Sequence, residues 1–382
     1  MSMDITSEKN NLKCINYLIA YLVMQALNYF VKLVLGEFTM WGVISKAVLA
    51  LFMLRGLTVI LRRKFIPFCA IETLCLISFI VTFIVGDFGT TIGTELFNLV
   101  GVFIPLAFSV ACIDDFELCL NKLYISAWPV SLILLIVSIK QQFSIYDYNM
   151  PLSYALLLQV MIFVDRYINK RKIYDLLISI VLFVFILVGG ARGPILCFGV
   201  YVILLLLFSK SISKKNKILF IALIIFLGTA FLLNMDSILK ALIELFEKKG
   251  ISSRSLYYIY NRNFSDSGRS AIYNDYIQKA LDGPVVGYGT GGGWINYIYP
   301  HNIFVEFILS YGIILGLMIS FAYVWILVRG LKIKNVHIQR LALIFIAYGS
   351  SLLISNSFIL EPMFFVMLPL CLAETRIIMG RR

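Results

Sequence analysis

The sequence predicts an all-α polytopic membrane protein with about twelve transmembrane helices and one large extracytoplasmic loop that contains amphipathic helices. Three observations predict it. Hydrophobic residues make up 60% of the 382 and charged residues 14%, whereas a soluble domain is about half apolar and about a quarter charged. The apolar residues lie in long runs, many of about 18 residues or more, enough at a rise of 1.5 Å per residue to cross the hydrocarbon core as a helix. The Lys and Arg residues gather in alternate short connections, as they do in the cytoplasmic loops of membrane proteins.

In chain order, helices are expected at 12–35, 40–61, 65–85, 92–112, 122–142, 150–165, 173–189, 194–209 and 217–235, and then at 301–328, 338–356 and 358–375. Alternate connections carry Arg62, Arg63 and Lys64; Lys122; Arg166, Lys170, Arg171 and Lys172; Lys210, Lys214, Lys215 and Lys217; and Arg329, Lys332, Lys334 and Arg340. These loops, both termini and the tail Arg376, Arg381 and Arg382 are therefore expected in the cytoplasm. Residues 1–235 would supply nine spans, 236–300 a large periplasmic loop and 301–382 three more spans, all in one membrane domain. The N-terminus has no short apolar region followed by a small-residue cleavage site, so the first run is expected to stay as a membrane helix.

The large loop has helical signals of its own. Ile238, Leu239, Leu242, Ile243 and Phe246 recur at helical spacing, and so do Ile272, Tyr273, Tyr276, Ile277, Ala280 and Leu281. Asp266 or Ser267 is positioned to cap the second helix, and Gly283-Pro284 to end it. Amphipathic helices of this kind lie on the membrane surface or pack on the bundle.

The charge and cysteine counts exclude several classes. The net charge of +12 is spread over short loops, which argues against a nucleic-acid partner. The seven Cys contain no CxxC pair, and none lies in the large loop, so neither a disulfide framework nor a zinc site is expected. The chain has only two His and neither an HExxH nor a DxD pattern, so no metal is expected. No GxSxG elbow is present. Within the spans, Arg55 and Glu72 both fall about 10 Å in from the cytoplasmic side and are expected to pair, because either charge alone is costly there.

Four features of the outer side suggest chemistry. Gly287, Gly289 and Gly292 match GxGxxG, but no strand precedes them and no helix follows, so the segment reads as a flexible loop that reshapes near a ligand. His301 follows Tyr299-Pro300 at the start of an apolar helix, with Asn302 next and Glu306 a turn beyond. With an ordinary value of about 6.5, an imidazole there suits proton transfer, or it caps the helix. Arg192, in Gly189-Gly-Ala-Arg-Gly-Pro194, and Arg269, in Ser267-Gly-Arg-Ser270, are outer cations that the positive-inside trend does not predict. A guanidinium binds phosphate in bidentate fashion, or anchors a lipid headgroup. Lys32 and Lys46 also lie near outer helix ends, where they would line a diphosphate cavity or snorkel to headgroups.

These residues carry a resemblance. Arg192 in its glycine-flanked turn, Ser267-Gly-Arg269, Gly283-Pro-Val-Val-Gly287-Tyr-Gly289, and Pro300-His301-Asn302 with Glu306 and Gly312 resemble, in order and spacing, the O-antigen polymerase and ligase superfamily. Tyr273 departs from it, since many members carry Trp there. The resemblance covers about 180–330 and implies a membrane glycosyltransferase of the GT-C type. Such an enzyme moves a glycan from undecaprenyl diphosphate to a hydroxyl, with inversion and without a metal or other cofactor. It implies that Arg192 and Arg269 bind the diphosphate or steady the leaving group, and that His301 orients or deprotonates the acceptor. Lys46, Tyr273, Asn302 and Glu306 join them as expected substrate-binding residues. The implied partners are the undecaprenyl-diphosphate-linked oligosaccharide, as donor and acceptor, membrane lipids and a chain-length regulator. The implied location is the bacterial inner membrane.

Within the superfamily, the step from His301-Asn302 to Glu306 and the lack of an extra outer domain favour a Wzy-type polymerase. A ligase, which transfers to lipid A-core, is the alternative, and an oligosaccharyltransferase would use protein. A transporter should show inverted repeats and broken helices at midplane, and neither is evident. A structural scaffold would leave the outer Arg and His unexplained.

Overall fold

The computed structural model describes residues 5–36, 39–85, 92–142, 149–189, 191–248, 260–261, 269–295 and 298–379. Among them the chain is helical, with no strand beyond an isolated bridge between Ile295 and Ile298. Each expected span falls mostly on helix, but those at 338–356 and 358–375 run into a non-helical turn at 354–361. The elements are α1 (Ile5–Leu35), α2 (Thr39–Val85), α3 (Ile92–Asn98), α4 (Ile104–Ala111), α5 (Phe116–Gln142), α6 (Met150–Lys170) and α7 (Ile173–Val188). They continue as α8 (Arg192–Phe208), α9 (Lys214–Leu233), α10 (Met235–Glu247), α11 (Arg269–Leu281), α12 (Ile303–Leu331), α13 (Val336–Gly349) and α14 (Pro362–Met379). The expected cap at Asp266 or Ser267 lies outside the described residues.

By length and apolar composition, seven of the described helical stretches suffice to cross a bilayer, one of them the long α2; α7, α8 and the apolar part of α14 are shorter. The long α2 holds two of the expected spans, so these seven stretches contain eight of the twelve. Large apolar side chains face outward, among them Ile66 at 78%, Phe83 at 69% and Ile84 at 74% exposure. A surface this apolar suits hydrocarbon rather than water, and the protein is an integral membrane protein.

The chain divides into two compact units: Met1–Ala20, Ala47–Cys119 and Asp266–Arg382 form the first, and Tyr21–Lys46 with Leu120–Ser265 the second.

In the first unit, α2 breaks at Lys64 (φ −140°, ψ 28°). Pro67 causes the break: it offers no N–H to the Arg63 carbonyl and its ring crowds that group. Both arms reach neighbouring residues of α4. A Cβ on Gly56 would lie 3.2 Å from Ser109 Oγ, while the Phe68 ring packs edge-on against Phe108, 5.2 Å between centroids. A straight helix would hold Gly56 and Phe68 about 18 Å apart. The two spans expected at 40–61 and 65–85 are therefore separate arms. The predicted Arg55–Glu72 ion pair is not formed. Gly56, not Arg55, faces α4; Arg55 is exposed, and Glu72 Oε2 is buried without a hydrogen-bond partner among the described residues.

Polar contacts gather several connections at one end of this unit. Arg63 donates to the Cys112 carbonyl at 3.1 Å and pairs with Asp114. Asn11 Oδ1 accepts from Asp114 N at 2.7 Å, and His337 Nε2 lies 3.7 Å from Glu117 Oε2. The turns at 62–64, 112–117 and 332–337 thus share an end, as the alternation of basic loops requires. α13 runs through the centre, buried from Ile338 to Gly349. Between α3 and α4 a π-helical turn spans Leu99–Phe103. Pro105 cannot donate to the preceding turn, and Tyr17 Oη supplies a donor to the Val102 carbonyl at 3.0 Å.

In the second unit, α6 and α7 form a tight hairpin. Arg171 takes the left-handed conformation (φ 56°) as the C-cap of α6, and its N–H reaches the Tyr167 carbonyl at 2.8 Å. Arg166 Nε lies 3.3 Å from the fully buried Asp175 and its guanidinium stacks on Tyr124, whose hydroxyl donates to Asp165. None of the seven cysteines forms a disulfide.

Candidate functional site

The glycine-rich segment is a built part of the first unit, not the flexible loop expected from its sequence. α12 breaks at Gly312 (φ 76°, ψ 169°), a conformation open essentially to glycine alone. The break releases carbonyls from the helix ladder. The Leu309 and Ser310 oxygens then accept from Tyr288 N at 2.9 Å and Gly289 N at 2.8 Å. Thr290 fastens the segment to α2: its Oγ1 lies 2.6 Å from Ser78 Oγ and 2.9 Å from Tyr311 Oη, and its carbonyl accepts from Thr82 at 2.9 Å. Gly287 and Gly289 to Gly293 are buried, along with Thr290. Cβ atoms at Gly287 or Gly289 would overlap backbone atoms of Ser310 and Gly312 or of Ser78 and Thr82. These glycines let three backbones meet.

α11 packs on the start of α12 as an amphipathic helix, through Ile272, Tyr276 and Ala280 against Leu309, Val305 and Ile308. Tyr276 Oη accepts from Ile295 N at 2.7 Å and donates to the Ile298 carbonyl. Burial pushes this hydroxyl above the ordinary tyrosine value, so it stays a donor and pins the approach to His301.

His301 itself has φ 55°. A non-glycine residue held there marks an over-determined position. Asn302, not His301, caps α12, accepting from Phe304 N at 3.0 Å and Val305 N at 3.4 Å. The His301 carbonyl accepts from Tyr273 Oη at 3.4 Å. Its Nδ1 lies 3.3 Å from the Ser355 carbonyl oxygen, which also accepts from Tyr299 Oη at 3.1 Å; the Tyr299 ring lies 4.3 Å from the imidazole. A carbonyl only accepts, so Nδ1 carries the proton in this contact. Glu306 is fully buried and accepts from Ser357 Oγ and from Phe358 N at 3.2 Å.

The structure therefore brings Tyr273, His301, Asn302 and Glu306 together in the first unit. It adds the turn at 354–361, between α13 and α14, which sequence reasoning missed. The signal was present: Ser355, Asn356, Ser357 and Glu361 interrupt an otherwise apolar stretch, and polar groups at membrane depth are costly unless they serve something.

Arg192 and Lys46 belong to the second unit. Arg192 is half-buried and opens α8, with Ala191 as its N-cap; Lys46 is exposed on α2. Arg269 opens α11. Both arginines thus stand at helix N-termini, where the helix dipole disfavours a cation and favours an anion. Lys32 sits in the last turn of α1, where the dipole alone accounts for a cation.

Comparison with known families matches residues 177–321 to the family described as O-Antigen ligase. No curated protein and no solved structure matches the chain. The matched segment is less than half of the chain. It contains Arg192, Arg269, Tyr273, His301, Asn302, Glu306 and Gly312, and excludes Lys46 and the turn at 354–361. The resemblance to the O-antigen polymerase and ligase superfamily is thereby shown.

Proposed function

We propose that this superfamily kinship extends to chemistry, and that the chain is an O-antigen polymerase. It joins undecaprenyl-diphosphate-linked oligosaccharides at the outer face of the bacterial cytoplasmic membrane. The observation that carries the reading is His301: an imidazole on a left-handed backbone, oriented through Nδ1, in the family-matched segment beside Asn302 and the buried Glu306.

In this reading the acceptor hydroxyl oxygen attacks the anomeric carbon with inversion and passes its proton to His301 Nε2. The bond from the anomeric carbon to the diphosphate oxygen breaks, and undecaprenyl diphosphate leaves. The leaving oxygen gains negative charge, so prepositioned cations favour the transition state. Arg269, at the N-terminus of α11 in the unit that holds His301, suits that task, and the resemblance assigns the same role to Arg192. A lipid diphosphate is already a good leaving group, so the step needs no metal. The 236–300 segment lies outside the cytoplasm and both termini inside. A thiol placed at Ser253 should then react with an impermeant reagent in cells with a permeabilised outer membrane; labelling only after lysis inverts the topology.

The test is polymer length on gels in a strain lacking the native enzyme, with protein level checked. Arg192→Ala, Arg269→Ala and His301→Ala should each lose long chains. Full-length polymer from well-expressed variants ends the claim. The family description as ligase keeps a second reading in view. Polymerase loss leaves single repeats on lipid A-core, whereas ligase loss removes every attached repeat and lipid-linked polymer accumulates.

A further inference from the structure

We infer that the turn at 354–361 is the positioning element of His301. Glu306, acting through Ser357 and Phe358, holds the Ser355 carbonyl where it fixes the imidazole with its proton on Nδ1 and its lone pair on Nε2. This rests on the glycosyltransferase reading, and the turn it concerns lies outside the family-matched segment.

A neutral imidazole has two tautomers, and only the nitrogen without the proton is a base. Which form is present is decided by the partner of the other nitrogen. Here that partner is a main-chain oxygen 3.3 Å from Nδ1. The same oxygen takes the Tyr299 hydroxyl at 3.1 Å, and the Tyr299 ring packs tilted against the imidazole, 4.3 Å between centroids. Both lone pairs of the carbonyl are thus engaged, and rotation of the ring is hindered.

The carbonyl is itself immobilised. Ser351 O accepts from Ser355 N at 2.8 Å and from Asn356 N at 3.1 Å, which closes the end of α13. Two residues further on, Ser357 and Phe358 donate to Glu306. Glu306 stands five residues after His301, so the chain and the hydrogen bonds form a closed circuit: His301 to Glu306 along α12, Glu306 to the turn, and the turn back to His301. Neither the imidazole nor the carboxylate can shift alone. A buried carboxylate is tolerated only with donors on its oxygens, and here the turn supplies them. The far end of the turn is tied the same way: Glu361, at 6% exposure, accepts from Asn356 Nδ2 at 2.8 Å and from Met363 N at 3.1 Å. Orienting the base by a third group is the general logic of activated nucleophiles.

The chain has only two histidines, which makes the tautomer measurable. His337→Gln leaves His301 as the sole imidazole. Nitrogen-15 NMR of imidazole-labelled protein in lipid nanodiscs, at a pH above the ordinary value of about 6.5, should show Nδ1 protonated and Nε2 as the bare, pyridine-type nitrogen. Ser357→Ala removes one tie, and should admit the Nε2–H tautomer and lower kcat about tenfold, the scale of one hydrogen bond, with KM for the lipid-linked donor nearly constant. Glu306→Gln keeps one acceptor oxygen and should fall further. A bare Nδ1 in the parent protein overturns the inference and needs no variant at the turn, so a poorly folding Glu306→Gln does not shelter it. Ser357→Ala with unchanged tautomer and kcat overturns it too. An Nδ1–H tautomer in a protein that transfers no lipid-linked glycan sinks the glycosyltransferase reading and leaves the orienting circuit standing; an active protein with Nε2–H does the reverse.

Discussion

Two stretches of the first unit, the glycine-rich segment 287–293 and His301 with its neighbours, lie some ten residues apart and invite the same reading from sequence. Each shows small or polar residues in an apolar chain, and each suggests a ligand. The structure separates them. In the glycine segment the polar contacts are to the protein itself: Tyr288 and Gly289 donate to the broken α12, and Thr290 is locked to Ser78, Thr82 and Tyr311. That chemistry is used up in holding backbones together. At His301 the hydrogen bonds end on a group that can take up or release a proton, held in a conformation that L-residues avoid. The lesson is that glycines in a membrane loop report close approach of backbones, whereas a strained residue with an orienting partner is where a function is worth proposing.

The sharpest way to break this comparison is to change the glycines. At Gly312 a Cβ would overlap the Val285 carbonyl, in a conformation only glycine adopts. Gly312→Ala should cost about 4 kcal/mol or more and abolish monodisperse protein in size-exclusion chromatography. Gly199→Ala is the control, since its Cβ would meet open space; it should be neutral or gain about 0.5–1 kcal/mol. His301→Ala should do the opposite of Gly312→Ala: full yield, with transfer lowered about a hundredfold to ten-thousandfold if the imidazole is the base. A folded, active Gly312→Ala protein would dissolve the distinction between the two stretches. Thr290→Val comes next. It keeps the shape and removes the hydroxyl shared by Ser78 and Tyr311, so a loss of about 1–3 kcal/mol in thermal unfolding is expected, with activity lost only in proportion to folded protein.

The sequence carried the helices well because hydrocarbon imposes a length and excludes charge. The expected segments fall mostly on helix, with the last two running into the turn at 354–361, and the basic run Arg62-Arg63-Lys64 marked the break at Lys64. The candidate site was half legible. His301, Asn302 and Glu306 are neighbours along one helix start, so local spacing exposed them. Ser355 and Ser357 lie about fifty residues further on, and only tertiary packing brings their turn to the imidazole. The glycine segment misled because the matching event, the break at Gly312, sits in a run that hydropathy reads as continuous helix.

The smallest effect is expected at Glu72, and it tests the same distinction on a pair of identical side chains. Glu306 and Glu72 are both acidic residues within long apolar helices. Glu306 has donors from Ser357 and Phe358, whereas Glu72 Oε2 is buried with none among the described residues. An amide at Glu306 must face a donor that wants an oxygen. An amide at Glu72 displaces an oxygen to which nothing donates, and it removes a charge from hydrocarbon. Glu72→Gln should therefore be neutral or slightly stabilising. Arg55→Gln, on an exposed guanidinium, should add to it independently, with a coupling below about 0.5 kcal/mol in a double-mutant cycle on unfolding midpoints. A coupling above about 1 kcal/mol would mean that Arg55 reaches Glu72 in the membrane after all. Glu72 would then be a satisfied carboxylate like Glu306, and burial of an acid in this protein would no longer tell a working group from an idle one.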